Sequence, residues 1–308
     1  MVIESLEKRP QTVQFETHSY CNASCEFCCH SIMTREKGKM SNELIENILK
    51  QCNEVNTLIP FLMGEPFMDK RIINIIKKCK ELQPQSSVIL HSNMSLCTNE
   101  HIKEILDNNL VDEIHISFYG INEQQYKQLQ GLDYYQVVER IIHFVNERNK
   151  RGLTKPLIVC DYILMHELMP LLQQFEKFWR VIVDDVRTVS YDDWHGNQPD
   201  RGNEYHPIRL QRIPCYKLWQ ILNVHWNGEV PLCCMDYNAN IVLGDLTKQS
   251  LQEVWQGEKL KQIREIHINQ EYSKLPMCKH CNSWKCNNPS WWNAMWTIIY
   301  SDSVDESL

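Results

Sequence analysis

Glycine is scarce, at 10 of 308 residues, where about 7% is usual. That argues against collagen-like, glycine-linker and many glycine-turn β-repeat architectures. Positive charge is also short: 32 Lys+Arg against 39 Asp+Glu leave a net charge of −7. A general nucleic-acid or membrane footprint is therefore not expected, although a local basic cleft stays open. No apolar run approaches the ~20 residues that span a bilayer. The opening MVIESLEKRP lacks the basic-then-apolar order of a secretory leader. The expectation is a cytoplasmic protein with neither nucleic acid nor membrane as a partner. Hydrophobic residues at 43% and charged residues at 23% allow a buried core, and the length suits about two domains or one barrel. What is abundant is cysteine, with 14 residues. In a reducing compartment a disulfide framework is the weaker reading, and clustered thiols point to metal or catalysis.

From residue 11 to 195 apolar strand text alternates with helical text. Strands are expected at 12–20, 57–63, 87–93, 113–119, 156–164 and 186–191, and helices at 42–52, 69–82, 98–106, 134–148 and 167–182. Leu44, Ile45, Ile48 and Leu49 recur at helical spacing behind Ser41, and Pro170 falls near the first turn of the last helix. Such alternation favours a parallel sheet, and six strands can curl into a partial (β/α)6 barrel with its ligand site at the C-terminal strand ends. Residues 195–207 are polar and turn-rich and read as a linker. A cysteine-bearing region, 208–286, and a Trp-rich acidic tail, 287–308, follow.

Cys21, Cys25 and Cys28 place three thiols within eight residues, directly after the first strand. Such a loop can wrap three irons of a cubane and leave the fourth iron open to a substrate or cofactor, since four cysteines are the normal complement. A zinc knuckle is the competing reading, with His30 as a fourth ligand, although zinc loops usually pair CxxC halves.

This CxxxCxxC loop on a β/α scaffold resembles the radical S-adenosylmethionine (SAM) superfamily. The resemblance implies that the open iron chelates the SAM amino and carboxylate groups, and that reduction yields a 5′-deoxyadenosyl radical. It places Phe27 near the adenine. Met63-Gly64-Glu65-Pro66 resembles the family's GGEP-like motif, with Met63 replacing the first glycine and Glu65 accepting from the SAM ammonium. Ser92, Asn93 and Ser117, at the ends of the third and fourth strands, resemble polar SAM contacts. Asp161 and Tyr162 are guesses for the fifth strand. The resemblance also implies an electron donor such as flavodoxin or ferredoxin.

Cys215, Gly228, Cys233 and the pair Cys278-Lys279-His280-Cys281 resemble the auxiliary-cluster region called twitch or shortened SPASM. The four thiols would saturate a [4Fe–4S] cluster, giving two clusters in all. A four-cysteine zinc ribbon competes, but Cys215 and Cys233 do not form a CxxC half. The spacing resembles butirosin-type dehydrogenases, and the surrounding text resembles sugar- and aminocyclitol-modifying relatives, including aminoglycoside epimerases. Of the remaining cysteines, Cys52, Cys79, Cys97 and Cys160 read as small buried hydrophobes. Cys29 adjoins a ligand.

Two reaction classes follow. Oxidation of a C–H bond in a sugar, aminocyclitol or similar small polar substrate needs a base, for which Arg201 or His195 stands in the linker, and an electron acceptor. Epimerisation of a sugar or a ribosomal peptide needs a thiol that returns a hydrogen atom, for which Cys234 or Cys286 would serve. A zinc-stabilised binding module explains the closed thiol set but not the open one. Trp291, Trp292 and Trp296 read as packing against the barrel, with a substrate cap or oligomer contact as alternatives.

Overall fold

The computed structural model describes residues 8–206 and 211–286, and beyond these 289, 290, 292, 293, 295 and 296. Trp291 and the acidic end of the chain lie outside the described residues.

Strands β1 (Thr12–Phe15), β2 (Thr57–Ile59), β3 (Ser87–Ser92), β4 (Glu113–Ser117), β5 (Leu157–Leu164) and β6 (Asp185–Ser190) pair in parallel as expected of an α/β partial barrel. A seventh strand, β7 (Ile221–Val224), pairs in parallel with the free side of β1, Thr12 opposite Ile221 and Phe15 opposite Val224. The sheet order is therefore β6-β5-β4-β3-β2-β1-β7. Strands β8 (Glu229–Pro231) and β9 (Val242–Asp245) form a small antiparallel pair. Among the described residues no helix is long and apolar enough to cross a membrane.

Several helices start where a side chain takes up an orphan amide group. Ser41 Oγ accepts from the Leu44 N–H at the head of Asn42–Gln51. Thr98 and His101 cap Asn99–Asp107 reciprocally. The stretch 167–182 splits into a 3-10 turn, Met169–Leu171, and a helix, Leu172–Trp179. Pro170 lacks the N–H that a continuous helix would need there. Within residues 11–195 the helix Glu123–Gln130 has no counterpart in the sequence reading. Asn122 caps it and Gly131 ends it at φ +70°. Its polar text, EQQYKQLQ, carries little apolar periodicity.

The core runs along both faces of the sheet. Phe118 is fully buried and stacks on Tyr126 at 4.4 Å and against Trp179 at 4.8 Å. Cys52, Cys79, Cys97 and Cys160 are also fully buried, as their text suggests. Trp292 and Trp296 pack inside: Trp292 lies 5.2 Å from Trp219 and donates its indole N–H to the Pro214 carbonyl at 3.0 Å.

Strand β7 joins the second cysteine region to the first, and Leu222 anchors it at 2% exposure. Leu222→Ala should cost about 2–5 kcal/mol, the usual range for a truncated core leucine. The check is the urea midpoint, and an unchanged midpoint would mean that the strand adds no stability.

Candidate functional site

A cavity of about 590 Å³ opens at the C-terminal strand ends, lined by Cys21, Cys25 and Cys28 together with Phe27, Gly64, Glu65, Ser92, Asn93 and Ser117. All nine residues expected at the first site thus share one wall. His30 is not on it; its Nε2 faces the Ser19 carbonyl at 3.0 Å.

Backbone pins hold the cysteine loop to the end of β2. His18 Nδ1 accepts the Tyr20 N–H at 3.0 Å, so its Nε2 carries the proton and donates to the Glu65 carbonyl at 3.0 Å. The Glu65 N–H donates to the Tyr20 carbonyl at 2.8 Å. A Cβ at position 64 would drive into the His18 carbonyl oxygen and stand 2.9 Å from that of Tyr20. Glycine is required there by close approach. Met63 needs no such freedom: it is buried, and its sulfur lies 3.3 Å from Cys29 Sγ.

Glu65 is 3% exposed and accepts from Ser92 Oγ at 2.7 Å, the Asn93 N–H at 2.9 Å and the Phe67 N–H at 3.2 Å. Its carboxyl ties β2 to β3 while still lining the cavity. Burial pushes its pKa up to about 7, against the lowering effect of those donors. Asn93 Nδ2 donates to Asn22 Oδ1 at 3.2 Å, which connects the end of β3 to the cysteine loop.

Gln130 went unread in the sequence. Its carbonyl accepts the Ser24 N–H at 3.0 Å, its Oε1 accepts the Tyr119 N–H at 2.8 Å, and its Nε2 donates to the Ser117 carbonyl at 2.9 Å. It joins the end of β4 to the thiol loop. The fifth-strand guesses fall away from the wall. Asp161 is held by Arg187 Nε at 3.0 Å and Nη2 at 3.1 Å, and the Tyr162 hydroxyl donates to the Leu168 carbonyl at 2.9 Å. Ile163, Arg187, Val189 and Ser190 line that side instead.

Cys215, Cys233, Cys278 and Cys281 line a second, small cavity of about 20 Å³. The Cys215 N–H donates to His267 Nδ1 at 3.2 Å, and Arg212 Nη2 donates to the Cys278 carbonyl at 2.6 Å. Burial raises the pKa of all four thiols, Cys278 to about 12. In the first loop it raises Cys21 to about 11 and lifts Cys25 as well, whereas a hydrogen bond from the Cys29 thiol lowers Cys28. Thiols held protonated by burial become ligands when a cation displaces the proton, so both sets suit iron. Burial disfavours the Lys217 ammonium, but the sulfurs of Cys234, Cys215, Cys233 and Cys281 outweigh it and raise its pKa.

The catalytic expectations divide. Cys234 and Cys286 both line the large cavity. Arg201 does not: it pairs with Glu167 and, at 3.4 Å, with Glu26. His195 lines the small cavity. The linker and the residues just before it contribute two groups that went unread, His206 and Asp192, both on the large-cavity wall. His206 Nδ1 lies 3.0 Å from Cys286 Sγ.

Because Glu65 holds its proton in the folded chain where the unfolded chain has lost it, its contribution to stability is complete below pH about 4.5 and fades as pH rises to about 7. In the iron-free chain, the stability advantage over Glu65→Gln should shrink across that window. Urea unfolding at several pH values checks this, and a flat difference would contradict the burial argument.

Residues 15–167 match the radical SAM superfamily, and residues 215–282 match SPASM, an iron–sulfur cluster-binding domain. The S-adenosyl-L-methionine-dependent 2-deoxy-scyllo-inosamine dehydrogenase of Niallia circulans is 20% identical over 285 residues, 90% of this chain and 95% of that protein. Among solved structures, BtrN in complex with AdoMet and 2-DOIA has a TM-score of 0.62 at 17% identity, over 89% of this chain and 94% of that one. Streptococcus suis SuiB bound to precursor peptide SuiA has a TM-score of 0.69 at 15% identity, over 96% of this chain and 75% of that one. At these identities the superpositions speak for the fold. Both thiol sets fall inside the matched spans, and the chain belongs to the radical SAM superfamily, an enzyme with a SPASM domain whose cofactors are SAM and iron–sulfur clusters.

Proposed function

We propose that the enzyme is an oxidoreductase acting at a C–H bond of a small polar substrate such as a sugar or aminocyclitol, with the four-thiol site as electron acceptor. The observation that carries this reading is the wall between the two cavities. Lys217, Met235 and Ser283 line both, so one layer of side chains separates them. The name of the Niallia circulans dehydrogenase supports the same class.

Cys21, Cys25 and Cys28 would hold one [4Fe–4S] cluster, and Cys215, Cys233, Cys278 and Cys281 the other. Phe27, Gly64, Glu65, Ser92, Asn93 and Ser117 would hold SAM. Once bound and reductively cleaved, SAM supplies the radical that removes the hydrogen atom. The division into 11–195 and 208–286 belongs to this proposal, as does an external one-electron donor such as flavodoxin or ferredoxin.

Loss of one hydrogen atom leaves the substrate carbon with an unpaired electron. Release of a hydroxyl proton and that electron completes a two-electron oxidation to a carbonyl. His206 replaces Arg201 as the proton acceptor. It is buried, burial lowers its pKa so that the ring is neutral at pH 7, and the Asp192 carboxylate faces it and favours the protonated form.

One observation favours a second reading. Cys286 lies beside His206 on the cavity wall, and a thiol there could return a hydrogen atom and make the enzyme an epimerase.

Anaerobic reconstitution should give about eight irons per chain, from two four-iron clusters. Replacing Cys21, Cys25 and Cys28 by Ala should remove half of them and abolish SAM cleavage. Turnover in deuterated water should give a product two hydrogens lighter and free of carbon-bound deuterium, with Cys234→Ala and Cys286→Ala still active. Carbon-bound deuterium in a product of unchanged composition, lost in either variant, would establish the epimerase instead.

A further inference from the structure

Lys217 is an unusual neighbour for a set of part-buried thiols. Its Nζ donates to Ser283 Oγ at 2.8 Å, and its chain lines both cavities. Among the described residues no carboxylate pairs with it. It lines the small cavity together with Cys215, Cys233, Cys278 and Cys281. Arg212 stands on the same small cavity. Its guanidinium lies over the Tyr272 ring at 3.9 Å and donates to the Cys278 carbonyl. It too has no carboxylate partner among the described residues. Other cations of the chain do: Arg187 has Asp161, Arg71 has Asp69 and Arg35 has Glu16.

A cation partly withdrawn from water is costly unless an opposite charge compensates it. Near Lys217 and Arg212 that charge can come from the thiolates. Four thiolates around a [4Fe–4S]2+ core leave the assembly at −2, and one added electron makes it −3. A cation nearby stabilises the more negative state more strongly, so it raises the reduction potential. The four-thiol site then becomes a better acceptor, and Lys217 stands on the side that faces the substrate cavity.

We infer that Lys217, with Arg212, sets the potential of the cluster held by Cys215, Cys233, Cys278 and Cys281 high enough to accept an electron from the cavity. Both are positioning residues, acting on the cluster through charge without bonding to it. Charge is the active property, so an arginine at position 217 does the same work.

This inference rests on the proposed ligand set but not on the outcome of the reaction, because the potential is read without substrate. The test is a redox titration of full-length, iron-reconstituted protein followed by electron paramagnetic resonance, with the auxiliary signal identified by its loss in Cys278→Ala. Lys217→Gln should make the reduced form about tenfold less populated at a given potential, a shift of about 59 mV to more negative values for one electron. Lys217→Arg should stay near the parent, and Arg212→Gln should move in the same direction as Lys217→Gln. An unchanged potential in Lys217→Gln, or Lys217→Arg moving as far as Lys217→Gln, overturns the inference. If Lys217→Gln fails to assemble the cluster, Arg212→Gln decides by the same shift or its absence. If the potentials move as expected but the product carries solvent deuterium, the oxidation reading fails and this assignment stands.

Discussion

A buried thiol keeps its proton until a cation takes its place, and that constraint governs both ends of this molecule. Seven thiols sit in two sets, six of them with pKa values raised by burial. Each needs a backbone that brings its loops to one point. At the first set this is the pinning of His18, Tyr20, Gly64 and Glu65. At the second it is Cys215 behind β7, Cys233 after β8, and Cys278 and Cys281 on the short helix Pro276–His280 and at its end.

The sheet connects the two. Because β7 extends the sheet beyond β1, the region carrying the second set is built onto the edge of the first. Tyr216, Lys217 and Ile221, from just before and at the start of β7, line the same cavity as Cys21 and Cys25 of the loop after β1. A tethered but separate second domain would not require it.

The first site was legible because its chemistry is compressed into short segments: three thiols in one loop, then polar residues at successive strand ends. Parallel strands with their ends on one side bring such residues together, so Glu65, Ser92, Asn93 and Ser117 could be named in advance. The rest depended on contacts between distant segments. Ile221–Val224 is too short to announce that it pairs with β1. Gln130 sits in a helix with weak apolar periodicity, and its importance lies in three hydrogen bonds to other segments. Asp192 and His206 lie in or beside turn-rich text, where solvation is the ordinary expectation, and only the fold turns them inward. Asp161 is not on the cavity wall, and its carboxylate is held by Arg187 on the neighbouring strand.

The proposed chemistry depends on one electron crossing the layer formed by Lys217, Met235 and Ser283. The most direct measurement is a single turnover with a candidate amino- or hydroxy-sugar substrate, frozen during the reaction and examined by electron paramagnetic resonance. The account predicts that a reduced-cluster signal grows as product forms and that it is absent from Cys278→Ala. A substrate that turns over while the four-thiol site never gains an electron would contradict it.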